Sequence, residues 1–235
     1  MATGARMPPH VVRTSNISVP WHGVGGQTRP MADMKAFRDA VTKWATGGPD
    51  GPARDLAEGL GVRTAVLVEG LSDLAAVEAL AARRGRDLAA DGVCVMPMGG
   101  AMSVARYAGL LGPPGLGLRL TGLCDEGERG FYERGLTRAQ APLQDVYVCA
   151  ADLEDELIRA LGTVGVEEII SAEGDLRAWQ TFQRQPAQHG RPRHQQARRF
   201  LGTKKGRKIR YGRLLVEALA PDRTPPPLDR LLASL

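Results

Sequence analysis

Residues 63–73, RTAVLVEGLSD, restrict the fold more than any other stretch of the chain. An apolar run, Ala65-Val66-Leu67-Val68, stops at Glu69 and is followed by Gly70, Ser72 and Asp73. A short continuous apolar run suits a strand buried on both faces, as in a parallel sheet covered by helices. Ser72 as a capping residue and Asp73 in a first turn predict a helix directly after it. Glu69 then stands at the C-terminal edge of a strand, with a second carboxylate four residues on. Ligands of open α/β sheets bind in the crevice outside those strand ends. Two acids converging there suit Mg²⁺, which is held by one or two carboxylates together with phosphate oxygens.

The pattern then repeats. Strand 63–68 leads to helix 73–84, and strand 92–96 leads through Gly99-Gly100 to helix 101–111. Strand 117–124 leads to helix 127–138, and strand 145–149 to helix 152–161. Four β-α units in series predict an α/β fold with a mostly parallel four-stranded sheet, doubly wound and flanked by helices, with right-handed crossovers. Upstream, Met34, Phe37, Val41 and Trp44 recur at three- and four-residue spacing and predict a helix over 33–46. A short helix around 52–60 follows. Beyond 163 the strand signals stop, residues 164–220 read as several helices, and Pro225-Pro226-Pro227 precedes a terminal helix.

The expected division follows this texture. Residues 1–30 are an aperiodic, Pro- and Gly-rich extension, disordered or upstream of the true start, for which Met31 and Met34 are candidates. Residues 31–60 are N-terminal helices, 61–162 the α/β core, 163–220 a helical basic part, and 221–235 a Pro-rich turn with a terminal helix.

Composition narrows the class. A chain of 235 residues with 43% hydrophobic content supports one sizeable domain with appendages. The formal charge of +5 is a mild bias toward polyanions. Cys94, Cys124 and Cys149 each fall in a strand-like run with no CxxC spacing, which argues against a zinc site or disulfide framework and fits a reducing cytoplasm. No apolar run approaches a membrane span, and no secretion signal is legible.

Acids collect at the predicted strand ends. Glu69 follows the first strand, Asp125-Glu126-Gly127-Glu128 the third, and Asp152-Leu153-Glu154-Asp155-Glu156 the fourth. Each cluster alone also suits a helix N-terminus, where Asp and Glu cap and favour the dipole. Three such clusters, on the first, third and fourth β-α junctions, repel one another unless a cation neutralises them.

The ordered series LVEGLSD, VCVMPMGG and LTGLCDEGE resembles the TOPRIM (Rossmann-like) domain of topoisomerases, DnaG-type primases and, most closely, OLD-family nucleases. The resemblance spans about residues 62–220. It implies Glu69, Asp73 and Asp125 as metal ligands and Glu154 or Glu156 as a later acid. It implies Lys204 or Lys205 as a catalytic lysine beside Glu69, and Mg²⁺ or Mn²⁺ as cofactor. Two departures stand out. The second acid of the family's DxD falls on Gly127; either Glu126 or Glu128 substitutes through a shift of the turn, or one metal site is weakened and a one-metal or inactive protein results. OLD-family proteins carry an ATPase half, yet no GxxxxGK[ST] occurs here, so ATP has no site in this chain and a separate ATPase or other protein is the implied partner.

The segment from Arg191 to Arg213 contains Arg191, Arg193, Arg198, Arg199, Lys204, Lys205, Arg207, Lys208, Arg210 and Arg213, and no acid. A solvated helix face is the ordinary explanation of a charge run, but a one-signed run also fits a phosphate backbone. His10, His22, His189 and His194 fall outside the strand ends and read as surface residues. Trp44 and Trp179 read as core. Gly99-Gly100 reads either as a close-approach turn or as amides facing phosphate. Together these observations predict a metal-dependent nuclease acting on nucleic acid, with DNA favoured. The alternatives are a nucleotidyl transferase, an RNA-processing ribonuclease, or a non-catalytic nucleic-acid-binding module.

Overall fold

A computed structural model describes residues 28–142 and 145–235. The extension expected over 1–30 lies outside the described residues, apart from its last three positions, which already belong to the first helix. That helix, α1, runs Thr28–Ala45, and α2 runs Gly51–Gly59. The core then alternates as the apolar runs predict: β1 Thr64–Val68, α3 Leu71–Arg83, β2 Val93–Pro97, α4 Val104–Leu111, β3 Arg119–Asp125, α5 Arg129–Arg138, β4 Val146–Cys149 and α6 Leu153–Ala172. Helices α7 Leu176–Gln183, α8 Arg193–Gly202, α9 Lys205–Ala218 and α10 Pro226–Ser234 complete the chain. The long α6 is two helices end to end, because Gly162 at φ 76° and ψ 157° breaks the helical backbone between them.

The four strands form one sheet in the order β2-β1-β3-β4, and every pairing is parallel. All C-terminal ends therefore lie on one edge. Glu69 directly follows β1, Asp125 ends β3, and Asp125 is in register with Cys149 at the end of β4.

Side chains alternate across the sheet with a period of two, and the two faces have separate cores. Val66, Val68, Val95, Leu123 and Cys149 pack with α3 and α6–α10. Ala65, Leu67, Cys94, Met96, Leu120 and Cys124 pack with α1, α2, α4 and α5. The fold is doubly wound, with the C-terminal helices all on one side. Trp179 is fully buried there, in an aromatic cluster with Phe182 and Phe200. Among the described residues, no helix is long and apolar enough to cross a membrane.

Two close approaches set the positions of the strand ends. Tyr132 on α5 is buried and donates from its hydroxyl to the carbonyls of Leu123 (3.0 Å) and Leu67 (3.3 Å), tying β3 to β1. A Cβ at Gly122 would stand 2.7 Å from the Tyr132 ring, so this glycine is needed for the tie. On the other face a Cβ at Gly212 would stand 2.6 Å from the Ser72 carbonyl oxygen, which lets α9 lie hard against the start of α3.

Candidate metal centre

The backbone at Glu69 is held from the neighbouring junction. Gly99 and Gly100 both donate their N–H groups to the Glu69 carbonyl, at 2.9 and 3.1 Å. Their φ values of +75° and +126° favour glycine, and no side chain crowds them. Their amides therefore support the strand end. Asp73 completes the turn by accepting the Gly70 N–H at 2.9 Å, the acidic half of a capping box.

Across from Glu69, β3 ends in Asp125 and passes into a 3₁₀ turn over Glu126–Glu128. Residues three apart nearly eclipse in such a turn. Glu128 therefore falls on the same side as Asp125, while Glu126 and Gly127 face solvent. Glu128 also lies one helical turn before Tyr132, whose packing fixes the start of α5. Glu69, Asp125 and Glu128 each offer a carboxylate oxygen, and these three oxygens lie within 4.8 Å of one another. Glu128 Oε2 is buried without any hydrogen-bond partner. A cluster of hard oxygen donors with one orphaned lone-pair atom fits a divalent cation such as Mg²⁺.

The order of these junctions along the chain is shared with known proteins. Residues 62–126 match the family model described as Overcoming lysogenization defect protein-like, TOPRIM domain. The match ends at Glu126, so Glu128 and the later helices lie outside it. The C-terminal region of the Xanthomonas campestris pv. campestris OLD protein has the same fold, with a TM-score of 0.56 and 23% identity, over 73% of this chain and 93% of that one. The C-terminal region of the Burkholderia pseudomallei OLD protein aligns with a TM-score of 0.53 and 18% identity, over 74% and 96%. No curated protein matches the chain.

The electrostatics of the site follow from crowding. Burial, then Asp152 and Glu128, push the Asp125 carboxyl up to about 8. Burial, followed by the neighbouring Glu69 carboxylate, pushes Glu128 up to about 7. Asp73 is pushed up to about 7, chiefly by burial and then by Glu154. These carboxylates resist ionising together, which a bound cation would reverse.

The acids after β4 differ. Asp152 caps α6 by accepting the Asp155 N–H at 2.8 Å, and is paired with Arg198 of α8 at 2.6 Å. Glu156 accepts the Ala150 N–H at 2.9 Å and meets Arg159 at 2.8 Å, so it closes the β4–α6 junction. Glu154 is buried and lies 3.4 Å from Lys208 of α9. Burial raises the Glu154 carboxyl despite that lysine. Lys208 itself is raised, the surrounding acids outweighing its own burial. Lys208 also lines the cleft that holds Glu69 and Asp73. Lys35 lines that cleft as well, but among the described residues Lys208 is also paired with Glu154. Lys204 is exposed at the N-cap of α9, and Lys205 opens the helix. The missed signal is helical spacing: Lys208 and Gly212 are one turn apart on the stripe of α9 that faces α3.

The one-signed segment 191–213 is largely answered by acids from elsewhere. Arg207 is buried, stacked 4.0 Å over Phe200 and 3.3 Å from Asp175. Arg210 also binds Asp175, to which Tyr211 donates its hydroxyl at 3.1 Å. Arg193 meets Glu167 at 3.5 Å and Arg213 meets Glu217 at 3.6 Å. Arg191, Arg199 and Lys204 form no ion pair among the described residues. Arg191 and Arg199, with His194, Arg198 and Lys208, line a cleft of about 550 Å³ beside Asp152 and Glu154.

Proposed function

We propose that this chain is a Mg²⁺- or Mn²⁺-dependent nuclease that hydrolyses phosphodiester bonds in nucleic acid, DNA favoured. The observation that carries the reading is the Glu69–Asp125–Glu128 cluster, whose oxygens lie within 4.8 Å of one another at the strand edge and form no ion pair among the described residues. Glu69, Asp125 and Glu128 would hold the metal. When bound, a divalent cation would acidify a water and polarise the scissile phosphate. The chain's own groups do the rest. Asp73 fixes the Gly70 turn and so the aim of Glu69. Lys208 carries a positive charge at the margin of the cluster, where charge builds on the leaving oxygens. Arg191 and Arg199 offer unpaired cations to the phosphate backbone in the adjoining cleft. The three buried, free cysteines suit a reducing, cytoplasmic setting.

The test is a divalent-metal titration with supercoiled plasmid, single-stranded DNA and RNA, on wild type and Glu69→Gln. Nicking that requires Mg²⁺ or Mn²⁺ and is lost in the variant is the expected result. Cleavage that persists in EDTA would overturn the metal reading. Incorporation of labelled nucleotides without cleavage would reassign the site to nucleotidyl transfer.

A further inference from the structure

Helix α5 leaves the carboxylate cluster directly, since Glu128 is its N-cap. Its inner face is taken up by Tyr132, Gly135 and Leu136, all buried. Its outer face carries Phe131, Arg134 and Arg138, all exposed and spaced at i, i+3 and i+7, which places them on one stripe. The Arg134 guanidinium lies 5.1 Å from the centre of the Phe131 ring. Neither Arg134 nor Arg138 forms an ion pair or a hydrogen bond among the described residues. Like charges four apart on a helix repel and weaken it, so the stripe is poorly explained by the stability of the protein.

A second exposed apolar group lies on the turn that packs against α5. Met102, in the 3₁₀ turn after Gly100, is 83% exposed, and that turn packs against α5. Phe131 is 38% exposed although it is a large aromatic next to a buried core. The two follow different strand ends, Met102 after β2 and Phe131 after β3. Cations interleaved with exposed stacking groups match a nucleic-acid strand whose bases are unpaired. Phosphates meet the cations, and bases meet aromatic or guanidinium planes. A paired duplex would present its backbone and leave Phe131 and Met102 without a base to cover them.

We propose that the outer stripe of α5 is a track for single-stranded nucleic acid leading away from the carboxylate cluster, with Phe131 and Met102 as contacts for unpaired bases. The proposal rests on the nucleic-acid reading above and adds the form of substrate. From Phe131 to Arg138 the stripe rises about 10 Å along the helix. This is roughly three nucleotides at stacked spacing.

Binding is measured without divalent metal, so that it does not depend on cleavage. Fluorescence anisotropy compares a single strand with a blunt duplex of the same sequence. A single strand carrying 2-aminopurine reports stacking. Wild type prefers the single strand and quenches the 2-aminopurine. Phe131→Ala loses the quench and about tenfold in single-strand affinity, and Phe131→Tyr restores both. Arg134→Ala with Arg138→Ala touches only exposed side chains. It lowers the slope of log affinity against log salt by about 0.7 for each phosphate that is no longer neutralised.

Equal binding of duplex and single strand by wild type would overturn the proposal. So would an Arg134/Arg138 double variant with unchanged affinity and salt slope. Concentration-dependent self-association abolished by Phe131→Ala, with binding unaffected, would reassign the stripe to contact between copies. If wild type cleaves no substrate with any metal, the nuclease reading fails, while these binding measurements still decide the track.

Discussion

The carboxylates after β1 and β3 and those after β4 share one edge of one sheet, yet among the described residues only the second group forms ion pairs. Asp152, Glu154 and Glu156 each face an Arg or Lys from α6, α8 or α9. Glu69, Asp125 and Glu128 face one another. The first kind of site is stable alone, because each charge is compensated where it stands. The second is crowded and strained by charge, which a bound cation would relieve. Position at the strand edge does not separate the two groups. Direct pairing with a cation does.

The largest effect that tests this contrast comes from Asp125→Asn. Removing one of three crowded carboxylates lowers cleavage on the order of 10²–10³-fold, as loss of a preorganised electrostatic group does. The same change raises the melting temperature of the metal-free protein, because one repulsive partner has gone. The pH dependence carries the sign. Asp73 and Glu128 at about 7 and Asp125 at about 8 lie above their unfolded values near 4. Between those limits the folded state binds more protons than the unfolded one, so stability falls as pH rises. This contribution is fully present below about pH 4 and is lost as pH passes through about 7 to 8. Thermal melts in EDTA across pH 5 to 8.5 read it directly, and Mg²⁺ or Mn²⁺ flattens the fall by binding the ionised cluster. A wild-type melting temperature that climbs from pH 6 to 8 in EDTA would break the comparison.

The β4 side responds in the opposite direction. Lys208→Met leaves buried Glu154 facing Asp73 with no cation between them. Breaking a buried pair from one side costs ~3–5 kcal/mol. The Lys208 side chain is 42% exposed, so solvent screening reduces this to about 1–2 kcal/mol. Glu154→Gln in the same chain recovers part of the loss. Denaturant unfolding of the two variants and the double variant closes the cycle. Stabilisation by Lys208→Met would place Glu154 with the uncompensated acids.

The fold was legible because each of its core elements is local. The run Ala65–Val68, the switch to helical spacing after Ser72, and the three repeats of that switch define a parallel sheet without any knowledge of long-range contacts. Half of the candidate site was legible for the same reason, since the positions of Glu69 and Asp125 are set by strand ends. The other half depends on contacts distant in sequence. Gly99 and Gly100 bind the Glu69 carbonyl across a β1–β2 neighbourhood, a use that neither sequence reading of the pair included. Lys208 reaches the acids only because Gly212 lets α9 approach Ser72. The basic run 191–213 looks one-signed only along the chain, for Glu167, Glu173 and Asp175 come to it from α6 and the loop beyond it. The stripe Phe131–Arg134–Arg138 follows helical spacing, yet its exposed side becomes apparent only when Tyr132 and Leu136 are seen to face the core.

The smallest effect separates cations that are free from cations already spent on the fold. Arg199 is exposed, forms no ion pair among the described residues and lines the cleft beside Glu154. Arg210 is bound to Asp175 and lies 3.5 Å from Glu173. Arg199→Ala weakens nucleic-acid binding a few fold and lowers the salt slope by about 0.7–0.9, the value of one neutralised phosphate. Arg210→Ala leaves affinity and slope unchanged and costs under about 1 kcal/mol of stability, as a partly exposed ion pair does. Anisotropy titrations at several salt concentrations, paired with thermal melts, distinguish the two. Equal loss of affinity in both variants would mean that pairing with Asp175 does not withdraw Arg210 from the binding surface, and the distinction between compensated and uncompensated charge would not extend beyond the carboxylates.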